Sequence, residues 1–557
     1  MRLLPRTITR RALLAGAAAA ALSETILERS ARAFQSPALA GFGGGIGEAA
    51  LLSTRNCARD GFFRNPWLPR LFEADLLLDD PTLIREMALR AADLVARGRF
   101  DSRNFSKLEL MTTPKRKHGA LRIYAVMEPL DAVAYLTLAV LAADAIESNR
   151  VAAGKNVVHS FRFSPSRDGL FDERFNFASF LAAALDHSMT DGYVVNCDLA
   201  NCFGSLTHER IAAGLERCGV PDWQVGYVSD LLSFWRHADS PGLPVGSSGS
   251  SIFSEAVLSQ IDRRLADAGI EFVRYVDDFR LFAADEAEAR LALEAVGAAA
   301  ACHGLSINTD KTRIVQFVSK VEDEAVSSAN PQPSRIAVSR NTRSGKGTSA
   351  KQYSDVLPLN FRRASVKEIQ FLRRIKRAPE AAAFLEGEFA APEKLRRAIR
   401  RAIYAGHDKF VLAIPLLLDR YPEFAAYVAS ALTRTTDFVH PEIRHHLRRR
   451  FAARLANPAT PDFVAMKLLD VLSHPGYRDR KALERFARAR AAAPRGLCFR
   501  LALDALRNTG GLAPELYGHF DRMDGWGQRS VLADPGSRAV IKLAFVQADP
   551  LTAKIAF

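Results

Sequence analysis

The feature of this sequence that most constrains its fold is a pair of adjacent aspartates set between two apolar runs. Asp277 and Asp278 follow FVRYV and precede FRLFA in the segment 270–283. Apolar residues on both sides predict two paired, buried strands with the aspartates at the turn between them. Two like charges at the tip of a buried hairpin are costly unless a cation neutralises them. The pattern therefore predicts a β-hairpin that presents carboxylates to a divalent cation such as Mg²⁺.

A third carboxylate strengthens this interpretation, because an Asp-Asp pair alone is usually only a polar turn. Asp198 ends the apolar segment GYVVNCDL (192–199) and precedes a helix predicted to begin near Ser205. One carboxylate on a strand and two on a neighbouring hairpin would meet in space. That arrangement holds two metal ions for in-line displacement at a phosphorus atom. The sequence therefore predicts that Asp198, Asp277 and Asp278 are the ligands of one metal site.

The charge balance and the cysteines give weaker information about partners and compartment. The chain has 76 Lys and Arg against 62 Asp and Glu, a net charge of +14. That surplus is typical of a protein that binds nucleic acid, although a solvated basic surface has the same composition. The six cysteines are scattered, without a CxxC pair or zinc-ligand spacing, which favours reduced thiols in the cytosol.

The composition and periodicity of the 557-residue chain change three times, which predicts four regions. Residues 1–110 are mostly helical, and residues 111–326 mix short strands with helices. Residues 327–360 are rich in Ser, Asn, Gly and basic residues, as in a linker or loop. Residues 361–557 have amphipathic helical spacing with irregular Pro and Gly punctuation, which predicts a loose, HEAT-like helical-repeat domain.

Six segments occur in the order and with the motifs of reverse transcriptases, which this chain resembles. They are TPKRKHGALRIYAVMEPLDAVAY (113–135) and HSFRFSPSRDG (159–169) of the fingers, DLANCF (198–203) of motif A, GLPVGSSGSSIFSEAVLSQID (242–262) of motif B, YVDDF (275–279) of motif C and INTDKT (307–312) of motif D. The resemblance implies an α+β fold, a right-hand polymerase of fingers and palm, followed by an all-α helical-repeat domain. It also implies that region 1–110 packs on the fingers.

The resemblance assigns the chemistry to four residues. Asp198 and Asp277 would ligate two Mg²⁺ ions, with Asp278 assisting. Lys311, in the segment that resembles motif D, would protonate the pyrophosphate leaving group, a general-acid role that a positioned lysine can fill. A solvated surface lysine is the alternative for this residue.

Binding of the incoming dNTP is implied for residues of the fingers and motif A. Lys115 and Arg122 would grip the triphosphate, the arginine through its bidentate guanidinium. Lys117 is an alternative to Lys115, because PKRKHG contains three basic residues in a row. Phe203 resembles the bulky gate that collides with a 2′-hydroxyl and selects deoxynucleotides; an ordinary core phenylalanine is the alternative.

The resemblance also assigns two residues, Gly246 and Arg162, to the template side of the site. Gly246 would let the template–nucleotide pair approach the backbone, because no side chain stands in the way. Arg162 would contact the template. Val245 departs from the family pattern, which commonly has Gln at this position. The loss of that amide indicates unusual product selection rather than an inactive enzyme.

The helical C-terminal region favours the abortive-infection and "unknown group" antiphage class of reverse transcriptases. Motifs of retrons, an RNase H carboxylate cluster and the Cys/His nuclease of group II introns are not found in the sequence. The class implies an RNA template or noncoding RNA, a DNA product, a homo-oligomer and, in some relatives, priming from a protein hydroxyl. Candidate primers are Tyr404, Tyr421, Tyr427, Tyr477 and Tyr517, for which ordinary packing tyrosines are the alternative. The basic clusters Arg396–Arg401 and Arg444–Arg450 would follow a single strand or a structural RNA, and solvated helix faces are the alternative.

Three other functions remain open at this point. One is a retroelement enzyme of the retron or group II intron type, and another is an RNA-directed RNA polymerase, against which Phe203 argues. The third is a helical scaffold with a non-catalytic palm.

The cellular location depends on the N-terminus. Arg10-Arg11 and the Ala-rich segment after it have the outline of a twin-arginine export signal. The alternative is an Ala-rich amphipathic helix, which we favour because the cytosol supplies nucleotides and magnesium. No uninterrupted apolar run reaches the ~18 residues of a membrane span, so no membrane partner is expected.

Overall fold

The computed structural model describes residues 45–59, 71–114, 121–166, 169–187, 192–237, 241–317, 361–374, 392–539 and 550–556. Four predictions fall outside these ranges. They concern Lys115, Lys117, the Arg10-Arg11 segment and the basic stretch 327–360.

Two small sheets form the β-structure of the described residues. Strands β1 (Glu109–Pro114) and β2 (Leu121–Val126) pair as an antiparallel hairpin. The second sheet contains β3 (Gly192–Asp198), β4 (Glu271–Tyr275), β5 (Asp278–Ala283) and β6 (Arg313–Phe317). Its spatial order is β4-β5-β3-β6, and every neighbouring pair is antiparallel. This four-stranded sheet is the predicted palm, and the β1–β2 hairpin is the predicted fingers segment.

In the described part of residues 45–317, ten helices surround these sheets. They are α1 (Gly45–Arg59), α2 (Phe72–Asp79), α3 (Pro81–Ala96), α4 (Pro129–Ser148), α5 (Phe177–His187), α6 (Cys202–Ser205), α7 (His208–Arg217), α8 (Asp222–Trp235), α9 (Ser248–Asp267) and α10 (Glu286–Ala301).

Local signals explain where several of these helices begin. Asp80 caps α3 by accepting hydrogen bonds from the backbone N–H groups of Thr82 and Leu83, and Pro81 occupies the first helical position. Asp285 caps α10 in the same way through the N–H of Glu288. These side chains satisfy amide groups that the first turn of a helix leaves without partners.

The two faces of the palm sheet have different coverings. Side chains alternate between the faces of a strand, so Cys197, Phe279 and Leu281 lie on one face. They belong to the main core, against which α9 and α10 pack. Val273 and Tyr275 lie on the other face, in a small cluster with Phe180 of α5 and its neighbour Ala183. The register places Asp198 opposite Asp278, at the end of this second face.

All regular structure in the described part of the C-terminal region is helical. The helices are α11 (Val366–Arg374), α12 (Pro392–Ala405), α13 (Asp408–Leu412), α14 (Ile414–Arg420), α15 (Ala425–Arg434), α16 (Pro441–Leu455), α17 (Asp462–Ser473), α18 (Arg480–Arg490), α19 (Leu497–Arg507), α20 (Pro514–Tyr517), α21 (Gly525–Leu532) and α22 (Pro550–Ala556). Helix α15 packs on α17, α17 on α19, and α19 on α21. This stacking agrees with the predicted helical array, whose repeat character stays a prediction.

The C-terminal helices also pack on the first part of the chain. Helix α17 contacts β1, and α22 contacts α3. A buried set of charges joins the parts; we call it the joint network and define it as Glu73, Glu128, Arg500, Asp504 and Arg529. Glu73 accepts from Arg500 (2.7 Å) and from Arg529 (3.0 Å), and Arg529 also donates to Glu128 (2.7 Å). The predicted domain boundaries therefore divide a shared core.

Helix α4 (Pro129–Ser148) is long and apolar enough to cross a membrane by length and composition, which the sequence reading did not anticipate. In the most apolar 18-residue stretch of this helix, 72% of the stretch is buried inside the protein. The helix contacts α1, α3 and α9. It is therefore packed as a core helix.

The strand and helix predictions around the palm differ from the structure in detail. The segments 192–199 and 270–283 form β3, β4 and β5, as predicted. In the segment 304–317 only Arg313–Phe317 is a strand, because the preceding residues form a loop that crosses the end of β3. Strand β1 begins at Glu109, inside the region predicted to be helical.

Candidate metal and nucleotide site

The structure brings together the three carboxylates that the sequence singled out. One oxygen from each of Asp198, Asp277 and Asp278 lies within 4.8 Å of the others. Asp198 is the last residue of β3, and Asp278 is its cross-strand partner on β5. The N–H of Leu199 donates to the carbonyl of Asp277 at 3.0 Å, which ties the end of β3 to the turn. Pairing of the two strands therefore places all three acids at one end of the palm sheet.

The electrostatics of this cluster favour a cation. Burial, followed by the charges of Asp278 and Asp198, raises the pKa of Asp277 to about 7. Crowded carboxylates that resist ionisation are stabilised when a divalent ion neutralises them, and oxygen donors are the ligands that Mg²⁺ prefers. Asp198, Asp277 and Asp278 are therefore a donor set that fits divalent metal ions.

The loop between α10 and β6 supplies two further polar groups. Lys311 donates from Nζ to Oδ1 of Asp198 at 3.0 Å, and Asn308 donates from Nδ2 to Oδ2 at 2.9 Å. The N–H of Asn308 also donates to the Asp198 carbonyl at 2.7 Å. Lys311 is half exposed, so its ammonium group reaches the triad from solvent. Sequence reasoning identified Lys311 and missed Asn308, although both lie in INTDKT.

Phe203 lies between motif A and the glycine loop that resembles motif B. Its ring is half-buried and packs beside the cluster of Tyr275 and Val276, next to the aspartates. Its carbonyl accepts a hydrogen bond from Leu243 at 2.8 Å. A Cβ atom at Gly242 would collide with the backbone of Phe203, so only glycine fits there. The loop thus fixes the predicted gate beside the triad, although its role stays a prediction.

The same glycine loop connects to the fingers hairpin. The N–H of Ala125 in β2 donates to the carbonyl of Val245 at 3.1 Å. Gly246 has φ of 106°, in the region that favours glycine. Arg122 lies on β2 three residues before Ala125 and pairs with Thr113 across the hairpin. The backbone contact places the hairpin that carries Arg122 against the loop that carries Gly246.

Arg162 does not face a template strand in this structure. Its side chain is 3% exposed. Its guanidinium donates to Glu147 (2.7 Å) and to the carbonyls of Val151 (2.6 Å) and Val158 (3.2 Å). A guanidinium committed to buried partners is not available for phosphate or base contacts in this conformation. The predicted template role therefore has no geometric support, because the fold uses Arg162 internally.

A buried set of charges lies behind the β4–β5 hairpin, and sequence reasoning missed it. We call it the palm network and define it as Glu147, Arg150, Arg162, Glu255, Asp262 and Arg274. Arg274 donates to Asp262 through Nε and Nη2, both at 2.6 Å, and to Glu255 at 2.7 Å. The only sequence signal was an arginine inside the apolar run FVRYV, where an unpaired charge would be costly.

The comparisons with known proteins agree with this geometry. Residues 143–372, less than half of the chain, match the family model described as reverse transcriptase (RNA-dependent DNA polymerase). This segment includes Asp198, Asp277, Asp278 and Lys311. A search of curated proteins found no match.

Among solved structures, the chain is similar to telomerase from Candida albicans, solved in complex with a TWJ fragment of telomeric RNA. The identity is 13%, the coverage is 69% of this chain and 68% of that one, and the TM-score is 0.30. A TM-score this low supports no inference about function.

Proposed function

Residues 143–372 are a reverse-transcriptase domain, a nucleotidyltransferase, and we propose that the enzyme copies RNA into DNA from dNTPs with two Mg²⁺ ions. The observation that supports this proposal most strongly is the convergence of three carboxylates within 4.8 Å, inside that domain. The sequence separates Asp198 from the other two aspartates, and only a palm-like sheet brings them together. A non-catalytic scaffold would not require this cluster of like charges.

The proposed chemistry joins a 3′-hydroxyl to the α-phosphorus of a dNTP and releases pyrophosphate. Two divalent ions held by Asp198, Asp277 and Asp278 would neutralise the charge on the phosphates and make the hydroxyl more acidic. Lys311 donates a proton to the departing pyrophosphate. The contact of its ammonium group with Asp198 supports this role, because it keeps the lysine next to the proposed metal site.

Selection of the substrate is assigned to the residues around the glycine loop. Phe203 excludes the 2′-hydroxyl of a ribonucleotide, and its position beside Tyr275 and Val276 supports this role. Arg122, together with Lys115, binds the triphosphate as a bidentate and a point-charge contact. Gly246 leaves room for the nascent pair.

The biological setting that we propose is antiphage defence of the abortive-infection or "unknown group" class, in the cytoplasm and as a homo-oligomer. The helices of the described C-terminal region pack on β1 and α3, and this supports the class, whose members join such helices to a polymerase core. Val245, in place of the usual Gln, supports template-independent synthesis as the alternative to copying RNA. Priming from a protein hydroxyl is proposed as one route, although the five candidate tyrosines of the C-terminal region are all buried in this structure.

A polymerase assay tests the proposed activity. The purified full chain is incubated with Mg²⁺ and dNTPs, with and without an RNA template and DNA primer. We expect DNA synthesis that chelation of the metal removes. The double variant Asp277→Asn, Asp278→Asn should lose at least about 10³-fold in rate, since it removes two metal ligands.

A matched control is available on the same hairpin. Glu271 is an exposed acid at the far end of β4, and Glu271→Gln should leave the rate within about twofold. Absence of incorporation by the wild-type protein under every condition, or equal rates for the double variant and wild type, would contradict the proposal.

Phe203 provides a test of sugar selection. Phe203→Ala should raise incorporation of ribonucleotides relative to dNTPs by roughly 10- to 100-fold, because the cavity then admits a 2′-hydroxyl. Equal use of ribonucleotides and dNTPs by the wild-type protein would instead identify an RNA polymerase.

Two further measurements test the biological proposal. Cells that express the protein should resist phage, and the Asp277→Asn, Asp278→Asn variant should not. DNA made without an added primer should remain attached to protein after denaturation. Full resistance with the double variant would favour a scaffold role.

A further inference from the structure

The residue before the paired aspartates has an unfavourable backbone conformation. Val276 has φ of 56°, in the left-handed region, and it is 1% exposed. A β-branched residue rarely adopts this conformation, because its side chain crowds the backbone there. The direction of the Asp277 side chain depends on this turn. Surrounding contacts must therefore hold the turn in place.

Both backbone polar groups of Val276 are held by buried side chains. Its carbonyl accepts a hydrogen bond from Nη1 of Arg274 at 2.8 Å, and its N–H donates to Oγ of Ser160 at 3.0 Å. Arg274 is completely buried and Ser160 is 1% exposed. In a site without competing water, these bonds fix the orientation of the peptide.

Arg274 is in turn fixed to helix α9. Its guanidinium makes a bidentate pair with Asp262 and a second pair with Glu255, both from α9. The two acids are seven positions apart, so they lie on the same face of the helix. Glu255 also accepts from Ser160 at 3.2 Å, so one carboxylate supports both groups that hold Val276.

A second arginine of the palm network has similar partners but no contact with the turn. Arg150 pairs with Glu255 (3.1 Å) and Glu147 (2.9 Å) and donates to the carbonyls of Ser160 and Phe161. Its side chain is as buried as that of Arg274. The two residues share Glu255 and nearly complete burial, and of the two it is the guanidinium of Arg274 that bonds the carbonyl of Val276.

From this difference we propose that Arg274 is a positioning residue of the metal site. It attaches the Val276 carbonyl to α9, keeps the turn left-handed and directs the carboxylate of Asp277 toward Asp198 and Asp278. Tyr275 is the cross-strand partner of Asp278, so Arg274 lies on the opposite face of the sheet from the Asp278 side chain. The inference rests on the proposed function, because it takes Asp198, Asp277 and Asp278 as the metal site.

Binding of Mn²⁺ to the full chain, measured by electron paramagnetic resonance, tests this role without catalysis. Arg274→Lys keeps the charge but loses the fork that reaches Asp262, Glu255 and the Val276 carbonyl together. We expect about a tenfold or greater loss of Mn²⁺ affinity, as for other residues that orient metal ligands. The Mg²⁺ concentration for half-maximal polymerisation should rise by a similar factor.

Arg150→Lys is the matched control. It should lower the thermal midpoint about as much as Arg274→Lys, because it disturbs the same buried charges, while Mn²⁺ affinity stays within about twofold. Equal losses of affinity in the two variants would overturn the proposal, because general destabilisation would then explain both.

A rescue experiment addresses the turn itself. Glycine adopts positive φ without steric cost, so Val276→Gly in the Arg274→Lys background should recover about threefold or more of the lost affinity. Lack of recovery would count against the proposal. If Arg274→Lys does not fold, Ser160→Ala replaces it, since it removes the other bond to Val276 and no charge. Unchanged Mn²⁺ affinity in Ser160→Ala would then overturn the proposal.

The outcomes separate this inference from the proposed function. Wild-type protein that binds Mn²⁺ through Asp277 but incorporates no nucleotide would defeat the polymerase proposal and leave the positioning role intact. Wild-type protein that polymerises, with Arg274→Lys indistinguishable from Arg150→Lys, would defeat only the positioning role.

Discussion

The palm network and the joint network are built from the same chemistry but differ in what they hold. Both pair fully buried arginines with carboxylates. In the palm network, Arg274 also bonds the backbone carbonyl of the turn before Asp277. In the joint network, Arg500 and Arg529 lie against the ring of Trp526. One network therefore bonds the turn before Asp277, and the other joins α19 and α21 to α2 and to Glu128 at the start of α4.

This difference shows that burial of an ion pair does not by itself indicate a role in the site. Removal of one partner from either network leaves a buried charge and is destabilising. Substitutions should also change metal affinity only in a network that hydrogen-bonds the backbone next to a proposed metal-binding residue. Stability and metal affinity, measured on the same variants, therefore distinguish the two regions.

The largest effect is expected in the joint network. Glu73→Ala removes the carboxylate that Arg500 and Arg529 share, and it should lower the free energy of unfolding by about 3–5 kcal/mol. Urea denaturation measures this loss. The Mg²⁺ concentration for half-maximal polymerisation (the Mg²⁺ half-saturation), measured on the protein that remains folded, should not change. A shift larger than threefold would show that the joint network also acts on the metal site.

The palm network should show a smaller loss of stability with an added effect on the site. Asp262→Asn removes the bidentate partner of Arg274 but leaves Glu255 to compensate its charge. We expect a loss of about 2–3 kcal/mol and a two- to threefold rise in the Mg²⁺ half-saturation. Unfolding and metal titrations on the same preparation test both parts. An unchanged half-saturation would remove the distinction between the networks.

The pH dependence of the free energy of unfolding reports on a contact between Glu109 of β1 and Asp524, which precedes α21. Burial, then the charge and hydrogen bond of Asp524, raises the pKa of Glu109 to about 8. Asp524 accepts hydrogen bonds from the N–H groups of Gly496 and Gly527. The raised pKa of Glu109 makes Glu109 the protonated partner of this pair.

The folded protein therefore retains a proton that the unfolded chain loses above about pH 4.5. Stability from this group should fall as the pH rises from about 5 to 8, by roughly 1–2 kcal/mol in urea denaturation. Glu109→Gln, which cannot ionise, should flatten this part of the profile. An identical slope in both proteins would refute the assignment.

The smallest effect is expected for an ion pair on the surface of α10. Arg290 and Glu286 are 2.6 Å apart, but their side chains are 66% and 53% exposed. Arg290→Ala should change stability by less than about 0.5 kcal/mol, because water screens the pair. Thermal unfolding and the polymerase assay should both match wild type. This variant sets the scale against which the buried networks are judged.

The predicted enzyme class, a nucleotidyltransferase, is confirmed by the family match over residues 143–372. The antiphage class, the protein primer and the individual roles of the site residues stay predictions. The expectation that Arg162 faces a template is the one that the geometry disfavours, because its guanidinium is buried against Glu147.

The sequence by itself determined the local elements and the acids of the site. Strands β3, β4 and β5 follow from short apolar runs, and the turn follows from the charges of Asp277 and Asp278. These features depend on neighbours along the chain, and so they can be read from periodicity and spacing.

Only the tertiary structure decided which side chains meet across the fold. Arg500 and Glu73 are 427 positions apart, and Asn308 reaches Asp198 across 110. Whether Arg162 or Arg274 turns inward depends on which carboxylates other elements place nearby. Spacing along the chain does not fix the packing of one element on another, so the palm network and the joint network were decided by the fold.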